Sequence, residues 1–348
     1  MHRFFCKKNL FGIVYGTVLL LFTAFVLLDT FVIPKGVQIP ADETRPRRPF
    51  SSAAETGPAE SEEPDGTESG GADESRTPGE TRQETEPETE PETEPETEPE
   101  TEPELIQTDT CYSDGKIRID PYTVRKYDTT VYIADIRLAS AEYLKTAFAQ
   151  DTYGRNLRER TSDTARRKGA MLAINGDYYG FRDTSYVIRG GILYRNSRRA
   201  DRGYYEDLVI YEDGSFGMID EKDMTAGELL QSGAWDVFAF GPVLVRDGAI
   251  SVAKDAEVDR SMQSNPRTAI GICSVLHYLF VVSDGRTSKE KGLSLYELAD
   301  VMREYGCKIA YNLDGGGSTA MYFNGKLISK PTDAGGERKV SDIVYIGY

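Results

Sequence analysis

The stretch SLYELADVMREYGCKIAYNLDGGGSTAMYFNGKLI, Ser294 to Ile328, carries the reading on which the fold rests. Ser294 followed three residues later by Glu297 has the spacing of a capping box, in which each side chain bonds the other residue's backbone N–H. Leu295, Leu298, Ala299 and Met302 recur on one face and Gly306 supplies a C-terminal stop, so the pattern predicts a helix from Leu295 to Tyr305. The apolar run from Lys308 to Leu313 predicts a strand, the glycines at 315–317 a turn, and Ala320 to Ile328 a hairpin around Asn324-Gly325. Helix, strand, turn and hairpin in this order depart from the βαβ alternation of parallel-sheet folds.

Upstream segments agree. Residues 116–138 alternate apolar and polar side chains and predict two strands, while 140–150 and 161–168 predict helices, the second basic through Arg166, Arg167 and Lys168. Further strands are expected over Ala170–Ile174, Tyr186–Tyr194, Leu208–Tyr211 and Phe238–Val245, the last two followed by Asp213-Gly214 and Asp247-Gly248 turns. Two apolar runs, Thr268–Cys273 and Tyr278–Ser283, flank His277, which reads as a loop or edge residue. The class is therefore α+β: a mixed β-sheet core with flanking helices, forming one domain over residues 105–348.

Residues 1–104 have a different character. Leu10 to Leu28 contain only apolar residues, Gly, Thr and Tyr, and the apolar character continues through Phe31, Val32 and Ile33. Nineteen residues at a helical rise of about 1.5 Å cover about 28 Å, one bilayer core. Arg3, Lys7 and Lys8 precede this run, so residues 1–33 read as a cytoplasmic tip and a membrane signal anchor through residues 10–33, with the rest of the chain outside the cell. Residues 34–104, rich in Pro, Glu and Thr, end in five tandem ETEP units from Glu84 to Pro103. This composition buries too little apolar surface to offset chain entropy and predicts a disordered, stiffened linker with a contour of about 220 Å.

The charge follows the same division. Of the chain's net −16, residues 34–104 contribute six basic and 22 acidic side chains, which leaves residues 105–348 at −2. Phosphate-backbone binding needs a clear basic excess, so nucleic acid is excluded as a partner. His2 and His277 are the only histidines, which rules out a Ser-His-Asp triad or a His-based zinc site. Cys6, Cys111, Cys273 and Cys307 have no metal-like spacing, and Cys273 and Cys307 sit in apolar runs as buried thiols. A tethered outer domain lacks ready access to ATP or nicotinamide, and no cofactor is identified.

What remains is carboxylate, arginine and hydroxyl chemistry at glycine-rich strand ends. NLDGGGSTAM (312–321) ends a strand in Asp314, followed by Gly315, Gly316, Gly317, Ser318 and Thr319; three unshielded amides and two hydroxyls suit an anion. INGDYYGF (174–181) places Asn175 and Asp177 at a second strand end, and YVIRGG places Arg189 before a glycine pair. NPRTAIG brings Arg267 and Thr268 into a strand, and VVSDGR puts Asp284 and Arg286 just past another. Each segment alone reads equally well as a turn.

Taken in order, NGDYY, FGPVLV, NPRTAIG, VVSDGR, NLDGGGSTAM and the ending SDIVYIG resemble the phosphodiester glycosidase family. That group is N-acetylglucosamine-1-phosphodiester alpha-N-acetylglucosaminidase-like and includes bacterial exopolysaccharide-type surface proteins. The resemblance covers about residues 165–348. It implies hydrolysis of a sugar joined through its anomeric oxygen to a phosphodiester, with Asn175, Arg267, Asp284, Arg286, Asp314, Ser318 and Thr319 at motif positions. The inventory accommodates this: Arg267, Arg286, the amides of Gly315–Gly317 and Ser318 are candidates to hold the phosphodiester, and Asp314 and Asp284 are candidates for base or nucleophile. Many relatives read NGGFF where this chain has NGDYY, so Asp177 replaces a glycine and adds a charge suited to a sugar hydroxyl or a divalent cation. The competing class is a noncatalytic envelope module that binds anionic glycans such as teichoic acid or exopolysaccharide.

Overall fold

The computed structural model describes residues 2–31, 35–38, 104–199, 206–256, 264–333 and 335–348. The first element is a helix, His2–Phe31, whose described side chains run from Val14 to Leu28. Among the described residues no helix is long and apolar enough to cross a membrane, so the anchor expected over residues 10–33 is not shown. Most of the expected linker lies outside the described residues. Within it, Lys35–Gln38 forms a strand paired antiparallel with Thr152–Arg155, which corrects the reading of residues 34–104 as unstructured throughout. KGVQ lacks the proline and repeated glutamate of the ETEP units, so its backbone can pair with an open strand edge.

Of the five sheets among the described residues, two are two-stranded and three larger ones build the domain. The largest has nine strands, with Thr268–Ser274 near its centre between His277–Ser283 and Ile309–Asn312. A five-stranded sheet contains Leu172–Asn175 between Met321–Phe323 and Asp342–Ile346, with Leu144–Phe148 at one edge. The third contains the hairpin Ser185–Arg189 with Ile192–Ser197, then Ala234–Phe238, Glu206–Tyr211 and Phe216–Asp220.

Strand alternation sends one set of side chains to a shared core and the other to an outer layer. Ile270, Tyr278, Phe280, Leu172, Ile174, Val344, Leu208 and Ile210 meet in the central cluster, where residues of all three sheets pack together. Ala269, Leu279 and Val281, on the opposite face of the large sheet, pack against Leu295, Leu298, Ala299 and Met302 of the helix Leu295–Glu304. The helix Thr161–Arg167 covers Ala173, Ile343 and Tyr345 through Ala165, and Ala226–Gln231 covers Val209 and Val237 through Ala226 and Leu229. Both Ser294–Glu297 and Thr225–Glu228 form complete capping boxes.

Four expectations change. Every strand pairing among the named strands is antiparallel, so the sheets are not mixed. Residues 140–150 form a strand, Leu144–Phe148, between single 3₁₀ turns, because pairing with Asp342–Ile346 outweighs local helix preference. Tyr186–Tyr194 is a hairpin turning at Gly190-Gly191, and Phe238–Val245 is split between two sheets. His277 opens its strand and bonds Asp135 through Nε2 at 3.0 Å.

Candidate active site

The antiparallel order gathers the motif segments at one junction. Thr268 lies opposite Val282 and Ala269 opposite Asn312, so the start of one strand sits between the ends of its two neighbours. The chain then leaves the large sheet at Asn312, turns through the glycines and enters the second sheet at Met321, opposite Ile174. Asn175 fixes this crossing from inside. Its Nδ2 donates to the Asp314 carbonyl at 2.6 Å, while its Oδ1 accepts from Thr268 Oγ1 at 2.8 Å and from Ala320 N at 3.2 Å. Asn175 and Thr268 are both wholly buried, so they hold the site together and do not face a ligand.

A cleft of about 180 Å³ opens at the junction, lined by Asp314, Ser318, Asp177, Tyr178, Phe181 and Ser341 together with the basic residues Arg158, Arg338 and Lys339. Asp314 is only partly exposed there, and desolvation pushes its carboxyl from 3.8 up to about 6. Hydrogen bonds from Ser318 and from Gly315 N (2.9 Å), and the positive charges of Arg338 and Arg182, act against that rise.

Two of the three glycines have amides already engaged within the protein. Gly315 N donates to the Asp314 carboxylate and Gly316 N to the Pro266 carbonyl at 2.8 Å, so neither amide is free to meet an anion. Their missing side chains matter instead. A Cβ on Gly315 would stand 2.8 Å from Pro266 O, one on Gly316 2.7 Å from Arg286 Nη2, and one on Gly317 2.5 Å from Arg338 Nη2. The turn lets two guanidinium groups lie against its backbone.

A buried charge cluster lies next to the cleft. Arg189, 5% exposed, places Nη2 2.8 Å from Asp342 Oδ2 and 3.1 Å from Asp177 Oδ2, with its guanidinium carbon 4.1 Å from the Phe238 ring centroid. Asp177 also accepts from Tyr179 N at 3.0 Å and Ala239 N at 3.1 Å. Both its oxygens are thus engaged by the protein, which leaves it poorly suited to a sugar hydroxyl or a cation. Asp342 keeps one buried oxygen without a hydrogen-bond partner, and its carboxyl is pushed well up by burial, with Asp177 and Asp314 adding to the rise. Gly176 makes room for it, since a Cβ there would fall 2.4 Å from Asp342 Oδ1. Among the described residues no group of three or more His, Cys, Asp or Glu is arranged to hold a metal ion.

The sequence candidates therefore separate. Asp314, Ser318 and Asp177 reach the cleft. Arg286 is exposed at the neighbouring turn, with its backbone in the left-handed region (φ 61°) and its Nε bonded to Asn265 Oδ1 at 2.9 Å. A non-glycine residue held at positive φ stores strain, which collects at functional sites. Arg189 and Arg267 are buried instead; Arg267 Nε donates to Leu293 O at 3.0 Å. Asp284 is also buried, bonded by Tyr132 Oη at 3.1 Å and Lys330 N at 3.2 Å, and burial raises its pKa, but it does not line the cleft. Thr319 is buried behind the turn. Arg338 and Arg158 escaped the sequence reading because they come from loops with no strand-end signature, the run ERK at 337–339 being the one visible mark of Arg338; Tyr178 and Phe181 lie within INGDYYGF, but nothing in the sequence marks them as a rim.

A family model for phosphodiester glycosidases matches residues 168–347. The chain belongs to the phosphodiester glycosidase family. It is 32% identical over 200 residues to the SPbeta prophage-derived uncharacterized protein YomE of Bacillus subtilis (strain 168), covering 56% of this chain and 31% of that protein. It is 27% identical over 197 residues to human N-acetylglucosamine-1-phosphodiester alpha-N-acetylglucosaminidase, covering 51% of this chain and 36% of the enzyme. The chain thus spans about a third of the length of these relatives. The catalytic domain of the zebrafish enzyme superposes with a TM-score of 0.52 at 21% identity over 67% of this chain and 83% of that one, a likeness of fold. Asp177, Asp314, Ser318 and Arg338 lie inside the phosphodiester glycosidase match, and Arg158 lies before it.

Proposed function

We propose that this chain hydrolyses the bond between an anomeric carbon and a phosphodiester oxygen, with Asp314 as general base. The observation that carries the reading is Asp314 itself: a partly exposed carboxyl in the cleft, raised to about 6 and oriented by Gly315 N and Ser318. A base poised near neutrality can take a proton from water and yet remain ionised above pH 6. Water oxygen bonds to the anomeric carbon as the glycosidic C–O bond breaks, its electron pair leaving with the phosphate oxygen. The proton taken by Asp314 is then released to solvent or to the phosphomonoester. Arg286 and Arg338, set against Gly316 and Gly317, are positioned to stabilise the departing phosphate. That stabilisation lessens the need for a strong general acid, in keeping with a site without histidine. Asp284, which does not line the cleft, acts in this scheme through the strand-end scaffold and not as the second carboxylate.

The relatives named as N-acetylglucosamine-1-phosphodiester enzymes support a sugar-1-phosphodiester as the substrate class. The apolar run 10–28 with Arg3, Lys7 and Lys8 before it supports attachment to the cell membrane with the domain outside, acting on envelope or surface glycans. Incubating the chain with a panel of sugar-1-phosphodiesters tests the reading: equimolar reducing sugar and phosphomonoester are expected. Binding without product across the panel would instead establish an anionic-glycan binding module.

A further inference from the structure

We infer that the cleft carries a second anion subsite, formed by Arg158 and Lys339, and that the substrate is a chain of repeating sugar phosphates and not an isolated diester. The inference rests on the glycosidase reading of the cleft and extends it to the substrate beyond the cleaved bond.

Charge accounting leads to it. Nearby surface arginines outside the cleft are neutralised: Arg155 lies 2.6 Å from Asp183 and Arg166 3.2 Å from Asp163, while in the cleft Arg338 bonds Asp333 twice at 3.0 Å and lies against Gly317. Arg158 and Lys339 line the same cleft, both exposed, and among the described residues no carboxylate pairs with either. Like charges crowded on one cleft repel one another and raise the local affinity for anions.

Arg158 is ordered without being neutralised. Its guanidinium carbon lies 5.6 Å from the Phe181 ring centroid, Phe181 stacks on Tyr178 at 4.5 Å and 17°, and Arg182 lies 5.8 Å from the other ring of the pair. Tyr178 and Phe181 are 38% and 37% exposed, so this stacked pair stands at the surface with little burial to justify it as core. Cation–π contact fixes the direction of a guanidinium and leaves its charge available. With Arg286 and Arg338 serving the scissile phosphate, Arg158 and Lys339 are surplus to one diester, and a neighbouring phosphate of a polymer meets that surplus. Arg158 precedes the family match, so this subsite includes a residue outside the shared motif set.

The test compares two probes on the full chain: the methyl diester of N-acetylglucosamine-1-phosphate and an oligomer of N-acetylglucosamine-1-phosphate repeats. The double variant Arg158→Gln/Lys339→Gln is expected to lower kcat/KM on the oligomer at least about tenfold more than on the methyl diester, chiefly through KM. Arg158→Lys, which keeps the charge, is expected to retain most of the oligomer preference. Equal losses on both probes, or no loss on either, would overturn the subsite. Should wild type cleave neither probe, the glycosidase reading falls by itself and affinity becomes the readout. Salt-sensitive binding of the oligomer that the double variant loses would then support the subsite, and unchanged binding would overturn it.

Discussion

At the scale of single residues, Asp314 and Arg189 illustrate opposite ways of using a buried charge. Asp314 is left short of compensation, so its carboxyl rises from 3.8 to about 6 and ionising it burdens the folded state. The sign follows: for an acid with a raised folded-state pKa, this contribution to stability grows as pH falls through about 6 and is absent well above it. Asp314→Asn is therefore expected to melt at the same temperature as wild type, or higher, at pH 7.5, while turnover falls by about 10²–10⁴-fold. Wild-type turnover should decline as pH drops through about 6, read as a single ionisation in kcat/KM. Arg189, by contrast, is fully compensated by Asp177 and Asp342. Arg189→Met would leave two carboxylates buried side by side and is expected to cost about 3–5 kcal/mol in denaturant titration. A loss below about 1 kcal/mol would show that the pair adjusts its protonation at little cost.

At the scale of elements, the glycine turn shows how much of the site was legible and where legibility ended. Its location, its glycines and Asp314 were all visible, because strand-end composition is local. The partners were not: Pro266 O takes the Gly316 amide, and Arg338 needs the space above Gly317. Those contacts join segments that no periodicity links. The strand Leu144–Phe148 was misread for the same reason, since its partner lies in Asp342–Ile346 at the far end of the chain. The helix Ala226–Gln231 was missed although Thr225 and Glu228 carry the same capping spacing that located Leu295–Glu304. At six residues it offers too little periodicity to stand out. Gly317→Ala tests the turn: it should displace Arg338 and lower kcat/KM at least about tenfold with only a small change in melting temperature. Gly335→Ala, where nothing stands within 4 Å of the added Cβ, is the matched control and should leave activity near wild type.

At the scale of the whole molecule, three antiparallel sheets share one core, and strand ends of two of them meet at one cleft. The core keeps that junction rigid through side chains such as Tyr278, Tyr311 and Phe280, wholly buried, with both tyrosine hydroxyls bonded to backbone carbonyls at 2.8 and 2.9 Å. Phe280→Ala should cost about 3–5 kcal/mol and reduce activity only in proportion to the folded fraction. Residues 34–104 carry a net −16, equal to that of the whole chain, so the cations at the proposed site act as a local arrangement against a nearly neutral domain and not through bulk charge. The most direct measurement of what that arrangement does is hydrolysis of an N-acetylglucosamine-1-phosphodiester in ¹⁸O-labelled water, followed by mass analysis of the phosphomonoester. Cleavage at the anomeric carbon predicts a phosphomonoester free of label and loss of the reaction in Asp314→Asn. Label in the phosphomonoester would mean attack at phosphorus, and would contradict the assignment of this cleft as a glycosidase site.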